Sequence, residues 1–304
     1  MRDEGGRSMP QGSHATIREF TVAGPDAGPY GVAAGPDGAV WFTLVHAGRV
    51  GRMTPDGDLA VHGPVPAGPT TITAGPDGAL WFTAYGGGAI GRITPEGEVV
   101  EFAVPDGGGP CGIAAGPDGA LWFTRMQGGS IGRVTVDGHV TDHPLPARDA
   151  LPSMIARGPD EAMWFTLNQG NAVGRIGMDG DVTVHPLPTE GSAPVGIAAG
   201  PDGALWFTEI GTGHIGRITT DGKVTEFPLP DPAARPHAIV AGPGGDLWFT
   251  EWGTAHVARI TPEGRMDEHP LPTPGCEPHG IALGPDGALW VALETGALAR
   301  VTVS

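Results

Sequence analysis

Residues 200–209 read GPDGALWFTE, and close variants of this phrase occur seven times in a chain of 304 residues. The tryptophans of the seven copies lie 40 to 42 residues apart, at Trp41, Trp81, Trp122, Trp164, Trp206, Trp248 and Trp290. Repeats of this length with strand-like patterning are typical of β-propellers, in which each repeat forms one four-stranded blade. The sequence therefore predicts an all-β, seven-bladed β-propeller with four antiparallel strands per blade.

The fifth repeat shows how one blade is predicted to run. Residues 195–199 form a short apolar inner strand, and the Gly-Pro-Asp-Gly segment at 200–203 suits a tight turn. Residues 204–209, rich in aromatic and β-branched types, form the second strand. The third and fourth strands follow at 215–219 and 224–229. Side-chain alternation places Trp206 on one sheet face, where it can pack against a neighbouring blade.

The two ends of the chain complement one another. Residues 297–302 match a third strand that no fourth strand follows, whereas residues 16–22, TIREFTV, match a fourth strand. An N-terminal strand is therefore predicted to complete the last blade and close the ring, which leaves few exposed edges. We assign residues 15–304 to this single domain and predict that residues 1–14, which are polar and patternless, form a mobile tail.

The composition of the chain indicates which cell compartment and which binding partners to expect. The formal net charge of −17 argues against nucleic acid and against an anionic membrane surface. No apolar run is long enough to span a bilayer, and the N-terminus lacks the apolar core of a signal peptide, so we expect a cytoplasmic protein. Cys111 and Cys276 lie four repeats apart, and neither a disulfide nor a thiolate zinc site is predicted.

The candidate site is predicted where ionisable side chains break the repeat. In an antiparallel blade, the turns after strands one and three share one face, and this face holds every Pro-Asp-Gly turn. The loops between strands two and three share the opposite face with the starts of the inner strands. The residues that follow the proline at those starts are Tyr30, Thr70, Cys111, Ser153, Val195, His237 and His279. Only the adjacent sixth and seventh repeats carry histidine there.

Acidic side chains fall in the same sector of the ring. Glu277 precedes His279 by two residues, and Glu294 comes one residue after the last second strand. Glu209 and Glu251 end the second strands of the fifth and sixth repeats. Two histidines with several acids on one face favour a functional site. Taken alone, Glu209 and Glu251 are also consistent with solvated charges at the rim.

Other aromatic and histidine positions have simpler interpretations. Trp252 lies outside the repeat position and is either a wall for a ligand ring or a packing residue at a blade edge. Three further histidines occupy fourth-strand positions at which other repeats carry phenylalanine, and we expect a structural role for them: His143, His185 and His269.

These residue types suit proton abstraction next to a carbonyl group. Carboxylates favour a hard cation such as Mg²⁺, and an ion held by Glu277 and Glu294 could polarise a carbonyl. His279, with an ordinary pKa of about 6.5, is suited to removing the adjacent proton, and a leaving group β to the carbanion would then be eliminated. The residues leave open a hydrolase such as a lactonase, with His237, His279 and Glu277 around Zn²⁺. They also leave open a binding propeller without chemistry.

Several motifs resemble those of the virginiamycin B lyase (streptogramin B lyase) family. They are the repeats GPDGALWFTE, IGRIT and VTEFPLP, together with RPHAI at 235–239 and CEPHGIA at 276–282. The resemblance covers residues 15 to 304 and implies a monomeric propeller that requires Mg²⁺. Its implied activity is the linearisation of cyclic streptogramin B antibiotics, small depsipeptides whose ester bond is opened by elimination rather than hydrolysis.

The resemblance also implies roles for four residues. His279 matches the family's general base, Glu277 and Glu294 match its metal ligands, and His237 matches its substrate-contacting histidine. The sequence departs from its own repeat next to Glu294, where it reads Val-Ala-Leu-Glu at 291–294 instead of Phe-Thr-Glu.

Overall fold

Seven four-stranded antiparallel sheets account for the strands of residues 15–303, the part of the chain that the computed structural model describes. This arrangement confirms the predicted seven-bladed β-propeller. Blades 1 to 6 each take four consecutive strands, from β2–β5 for blade 1 to β22–β25 for blade 6. Blade 7 is built from β26, β27, β28 and β1. The tail predicted for residues 1–14 lies outside the described residues.

The strands have the following bounds in chain order. Those up to the end of blade 3 are β1 Ala15–Thr21, β2 Pro29–Ala34, β3 Val40–Leu44, β4 Arg49–Met53, β5 Leu59–His62, β6 Pro69–Ala74, β7 Leu80–Ala84, β8 Ala89–Ile93, β9 Val99–Ala103, β10 Pro110–Ala115, β11 Leu121–Arg125, β12 Ser130–Val134 and β13 Val140–Pro144. Those of blades 4 and 5 are β14 Pro152–Arg157, β15 Met163–Leu167, β16 Ala172–Ile176, β17 Val182–Pro186, β18 Pro194–Ala199, β19 Leu205–Glu209, β20 His214–Ile218 and β21 Val224–Pro228. Those of blades 6 and 7 are β22 Pro236–Ala241, β23 Leu247–Glu251, β24 His256–Ile260, β25 Met266–Pro270, β26 Pro278–Leu283, β27 Leu289–Leu293 and β28 Ala297–Val303, with a short 3-10 turn at Pro243–Gly245.

The N-terminal strand closes the ring as predicted. β1 pairs antiparallel with β28 along its whole length, from Ala15 opposite Val303 to Thr21 opposite Ala297. The ring of Phe20 in β1 packs on Trp290 with ring centroids 5.6 Å apart. Blade 7 therefore joins the two ends of the described chain and leaves the propeller without an open seam.

A buried tryptophan organises the packing between neighbouring blades. Trp206 of blade 5 is fully buried and packs with Ile239 and Phe249 of blade 6, as the strand alternation predicted. Its indole N–H donates to Asp202 Oδ1 at 3.0 Å, and Arg217 Nε donates to Asp202 Oδ2 at 2.7 Å. The Pro-Asp-Gly turn is thereby tied to the second and third strands of its own blade.

Fourth-strand rings cover the tryptophans from the outside. The stacked pairs, with ring centroids 5.3, 5.5 and 5.6 Å apart respectively, are Trp122 with His143, Trp164 with His185 and Trp248 with His269. This confirms the structural role predicted for those histidines. The sequence reasoning did not include His62, which stacks on Trp41 in the same way.

Blade 6 departs from this pattern at its first turn. Gly244 occupies the position at which the other blades carry aspartate. The indole Nε1 of Trp248 is consequently buried with no hydrogen-bond partner among the described residues. Arg259 pairs instead with Asp246, at 3.1 Å, and with Asp267.

A threonine in the second strands of blades 1 to 6 fixes the inner strand of the next blade. Thr208 Oγ1 donates to the carbonyl oxygen of His237 at 2.8 Å, and Thr250 Oγ1 donates to that of His279 at 2.8 Å. In blade 7 the equivalent residue is alanine, and the inner strands approach closely. A Cβ atom on Gly280 would lie 2.5 Å from the carbonyl oxygen of Tyr30, so only glycine fits there.

Two further predictions concern membrane spans and the cysteines. No helix within residues 15–303 is long and apolar enough to cross a bilayer. Cys111 and Cys276 are both buried as free thiols.

Candidate active site

The two predicted histidines lie side by side on the site face, where the inner strands begin and the second and third strands are joined. His237 is the second residue of β22, and His279 is the second residue of β26. The threonine hydroxyls of the preceding blades hold both backbones. Tyr30 has the same position in β2, and ring closure places it next to both histidines.

Three rings form a compact aromatic group at the top of the central channel. The ring of Tyr30 stacks on His279 with centroids 4.5 Å apart. The ring of His237 makes T-shaped contacts with both, with its centroid 5.8 Å from that of Tyr30 and 5.0 Å from that of His279. The hydroxyl of Tyr30 lies 3.4 Å from Nε2 of His237. Because of these contacts the orientation of His279 is defined before any ligand binds.

Two carboxylates converge on His279. Possible ligand atoms of Glu277, His279 and Glu294 all lie within 4.8 Å of one another. Oε2 of Glu294 is hydrogen-bonded to Nε2 of His279, and the backbone N–H of Glu294 donates to the carbonyl oxygen of Glu277 at 3.3 Å. The structure thus brings together three of the residues singled out from the sequence, with His237 beside them.

Glu277 has an unusual backbone conformation that the repeat imposes. It lies in the left-handed region with φ 49°, directly before the proline that opens β26. The residue before the inner-strand proline has a positive φ in every blade: Gly28, Gly68, Gly109, Leu151, Ala193, Arg235 and Glu277. For a residue other than glycine this conformation costs about 1–2 kcal/mol. The turn itself does not require a glutamate side chain, so its presence here is consistent with a functional role.

The carboxylate of Glu294 has two histidine partners. Partial burial opposes its ionisation, but hydrogen bonds from His46 and His279 outweigh this effect and hold the pKa of Glu294 below its ordinary value. Since an ionised carboxylate only accepts hydrogen bonds, Nε2 of both imidazoles must carry the proton in this arrangement. The distance from His46 Nε2 to Glu294 Oε1 is 3.0 Å.

The rings beside this cluster are neutral at physiological pH. Burial lowers the pKa of His237 to about 3, and a charge on neighbouring His279 would act in the same direction. Burial also raises the pKa of the Tyr30 phenol. A neutral hydrogen-bonding surface therefore adjoins a group of two carboxylates, and such a combination can orient a polar ligand next to a cation.

Comparison with known protein families matches residues 15–301 to the virginiamycin B lyase family. The chain belongs to this family. A segment of 48 residues is 63% identical to the virginiamycin B lyase of Streptomyces coelicolor, and this alignment spans 16% of each chain. The match therefore covers only a small part of that curated relative's length.

Solved structures of virginiamycin B lyases match over nearly the whole chain. A streptogramin B lyase superposes with a TM-score of 0.92 and 40% sequence identity, covering 95% of this chain and 98% of the other. A catalytically inactive histidine-to-alanine variant of the Staphylococcus aureus virginiamycin B lyase with quinupristin superposes with a TM-score of 0.91 and 42% identity. That alignment covers 95% of this chain and 99% of the other.

In this virginiamycin B lyase family member, Glu209 and Glu251 are not solvated rim charges. Their relative exposures are 0% and 1%, so that interpretation was wrong. Glu209 Oε2 accepts from Thr212 at 3.3 Å, and Glu251 Oε2 accepts from Thr254 at 3.0 Å, while Oε1 of each is buried with no partner among the described residues. Burial raises the pKa of both carboxyls to about 7. Neither belongs to the cluster around His279.

Trp252 lies beside the loop that leads to His237. Its backbone N–H donates to the carbonyl oxygen of Arg235 at 3.1 Å, and the Arg235 guanidinium lies 5.2 Å from the centre of the indole ring. The side chain is half-buried. Trp252 is therefore on the site face of this virginiamycin B lyase family member, and a role as a ligand wall stays a prediction.

Sequence reasoning missed Tyr30 and His46 as members of the site. Tyr30 occupies the same inner-strand position as the two histidines, and ring closure makes blade 1 the neighbour of blade 7. His46 lies in the loop that follows β3 in blade 1, and Glu294 lies in the equivalent loop that follows β27 in blade 7. The available signal was that these two loops occupy the same position in adjacent blades.

Proposed function

We propose that this protein is a carbon–oxygen lyase that linearises cyclic streptogramin B-type depsipeptides by eliminative opening of the ester bond. The observation that carries the proposal is the convergence of His279 with the carboxylates of Glu277 and Glu294, whose ligand atoms lie within 4.8 Å of one another. Membership of the virginiamycin B lyase family supports it, as does the relative whose structure contains quinupristin.

His279 is the proposed general base. Elimination requires loss of a proton from the carbon next to a carbonyl when the following carbon carries the ester oxygen. As the proton passes to the imidazole, the electron pair of the broken C–H bond forms a carbon–carbon double bond. The carbon–oxygen bond breaks, and a carboxylate leaves without consuming water. The Glu294 carboxylate beside the ring would stabilise the imidazolium. Nε2 of His279 carries a proton when it donates to Glu294, so for Nε2 to accept the substrate proton the imidazole must first adopt the other tautomer, with its proton on Nδ1, and the bond to Glu294 must open on substrate binding.

Glu277 and Glu294 are the proposed ligands of a Mg²⁺ ion. Mg²⁺ prefers oxygen donors and is commonly held by one or two protein carboxylates, with other positions left for water and substrate. The two side chains fit this preference because Glu277 is exposed, Glu294 is half-buried, and a carboxylate oxygen of each lies within 4.8 Å of the other. When bound, the ion would polarise the substrate carbonyl and make the adjacent C–H more acidic.

His237 and Tyr30 are proposed to orient the substrate. The lowered pKa of His237, about 3, keeps its imidazole neutral, so it can donate or accept a hydrogen bond without repelling a cation nearby. The Tyr30 hydroxyl lies 3.4 Å from this ring and can fix its tautomer. Both residues open inner strands, so they are held by rigid elements of the propeller.

The test of the proposal is the mass of the reaction product. The purified protein is incubated with quinupristin and Mg²⁺, and the product is examined by mass spectrometry. Elimination gives a linear product with the mass of the substrate, which is separated from it by chromatography. A product heavier by one water would refute the lyase and favour a hydrolase, and an unchanged substrate would favour a binding propeller.

The cation is tested on the same reaction. Treatment with a chelator should abolish turnover of quinupristin, and Mg²⁺ should restore it. Recovery with Zn²⁺ and not with Mg²⁺ would contradict the proposed ion and favour the zinc hydrolase. Full turnover in the presence of chelator would mean that the reaction needs no metal ion.

A further inference from the structure

We propose that His46 is a positioning residue that holds Glu294 in place for cation binding, an inference that rests on the proposed function. His46 belongs to blade 1, whereas the three clustered residues belong to blade 7. The site would thus depend on a side chain from the neighbouring blade.

Each oxygen of the Glu294 carboxylate has its own histidine. Oε1 accepts from Nε2 of His46 at 3.0 Å, while Oε2 is bonded to Nε2 of His279. Glu294 is the first residue after β27, in a short turn before β28 at Ala297, and its side chain is 31% exposed. A glutamate in such a turn is free to adopt several rotamers, and ordering it costs up to about 2 kcal/mol. The hydrogen bond from His46 offsets part of that cost before a cation arrives.

The backbone of His46 is itself anchored. Its N–H donates to the carbonyl oxygen of Ala27 at 3.1 Å, and the N–H of Val45 donates to that of Gly28 at 2.8 Å. The imidazole lies directly over Gly28, because a Cβ atom there would come within 2.4 Å of Cδ2 of His46. Although the side chain is 55% exposed, its direction toward Glu294 is therefore defined by the adjoining loop.

The repeat does not require a histidine at this position. The equivalent residues, two places after the end of each second strand in the other six blades, are Gly86, Gln127, Gln169, Gly211, Gly253 and Thr295. None of these is ionisable. The imidazole is present only in the blade that faces Glu294, which favours a role at the site over a role in blade packing.

A hydrogen-bonded partner of a metal ligand fixes the orientation of that ligand. Loss of such a partner typically lowers metal affinity or activity by about 10- to 100-fold. For His46 we expect the loss to appear first in cation affinity. Turnover should recover when the concentration of Mg²⁺ is raised, because the groups that act on the substrate are unchanged.

The experiment measures cation affinity in the metal-free protein. Mn²⁺ serves as a spectroscopic substitute for Mg²⁺, and its binding is followed by electron paramagnetic resonance and calorimetry. His46→Ala should raise the Kd for Mn²⁺ by about 10- to 100-fold. His46→Gln, whose amide can still donate to Glu294, should retain most of the affinity. His139→Ala, an exposed histidine in a turn between strands three and four on the opposite face, is the matched control and should bind as the wild type does.

The outcomes separate this inference from the proposed function. If the wild type binds Mn²⁺ and opens quinupristin while His46→Ala binds Mn²⁺ equally tightly, the positioning role is overturned and the lyase proposal stands. If the wild type neither binds Mn²⁺ nor opens quinupristin, both fail together. Thermal melting of each variant checks the fold, and an affinity loss accompanied by an unchanged melting temperature supports the inference.

Discussion

The hydroxyl of Thr250, in the second strand of blade 6, donates a 2.8 Å hydrogen bond to the backbone carbonyl of His279 in blade 7. The same hydroxyl accepts a hydrogen bond from the backbone N–H of Ala238 at 3.0 Å. A residue that belongs to the general blade pattern thus also holds the proposed base. The repeat and the site are connected through this one side chain.

Thr250→Val should therefore reduce both stability and turnover. Valine has the same shape but leaves a buried carbonyl and a partly buried N–H unpaired, at a cost of about 1–3 kcal/mol in the free energy of unfolding. We expect kcat to fall by about 10- to 100-fold because the base is no longer held in place. Thr83→Val is the control, since Thr83 donates in the same way to Cys111 of blade 3, at 2.6 Å, and holds neither histidine. Equal turnover in both variants would contradict the link between Thr250 and the base.

His279→Ala should lower turnover by about 10²–10⁴-fold while the propeller remains folded. The variant removes the proposed base and its contact with Glu294. His143→Ala provides a contrast, because that ring stacks on Trp122 and contributes about 0.5–1.5 kcal/mol to stability without touching the site. Steady-state kinetics with quinupristin and thermal melting separate the two effects. Near wild-type turnover in His279→Ala would exclude it as the base.

Glu277→Gln should shift the Mg²⁺ titration of activity to higher concentration. The amide keeps the shape of the side chain but loses the charge that attracts the cation. We expect a decrease in Mg²⁺ affinity of about tenfold or more, with little change in melting temperature. An unaltered titration curve would count against Glu277 as a ligand.

Replacement of the same residue by glycine tests whether strain accompanies function. Glu277 has a φ of 49°, so Glu277→Gly removes a left-handed strain of about 1–2 kcal/mol but adds an entropic cost of about 0.5–1 kcal/mol. A net gain of up to about 1.5 kcal/mol in the free energy of unfolding is expected, together with loss of activity. Ala193→Gly, at the equivalent position with φ 46°, should show the same gain with full activity. Retained activity in Glu277→Gly would mean that the side chain has no role.

The buried carboxyls of blades 5 and 6 should make stability fall with rising pH. Burial raises the pKa of Glu209 and Glu251 from an ordinary 4.5 to about 7, so the folded protein binds more protons than the unfolded chain between these values. Their contribution is fully present below pH 4.5 and is lost as pH rises through about 7, on the order of 1–3 kcal/mol per group. Chemical denaturation at pH 5 and pH 8 measures the difference.

The amide variants show whether these two groups cause that dependence. The double variant Glu209→Gln, Glu251→Gln should have a free energy of unfolding that changes little between pH 5 and pH 8. Glu96→Gln, an exposed glutamate in a turn, should leave the dependence as in the wild type. A double variant that keeps the full pH dependence would contradict this assignment.

The fold was predictable because its determinants repeat. A tryptophan every 40 to 42 residues, with a Pro-Asp-Gly turn before it, specifies the second strand of each blade, and the unmatched strands at the two ends indicate closure. The placement of His237, His279 and Glu277 followed from the proline that opens each inner strand. These features depend on local sequence and on the order of the strands alone.

The contacts that sequence reasoning missed depend on loop conformation. The contact between His46 and Glu294 depends on the conformations of two loops whose sequences differ from the repeat. The burial of Glu209 could not be inferred from strand alternation, because the end of a strand can face solvent or the gap between blades. Here the adjoining loops, with Ser192 and Thr212, enclose the carboxyl group. Such packing is set by neighbouring segments that share no motif with the residue itself.

The use of strand β1 to complete blade 7 has a consequence for protein synthesis. Residues of β1 are made before blades 1 to 6, whereas their partner β28 is made after them. The blade that holds His279 and Glu294 therefore cannot be assembled until translation has passed Val303. We expect a ribosome-tethered chain that lacks β28 to be inactive even with six blades complete, so catalytic competence would arise only after β28 has left the ribosome.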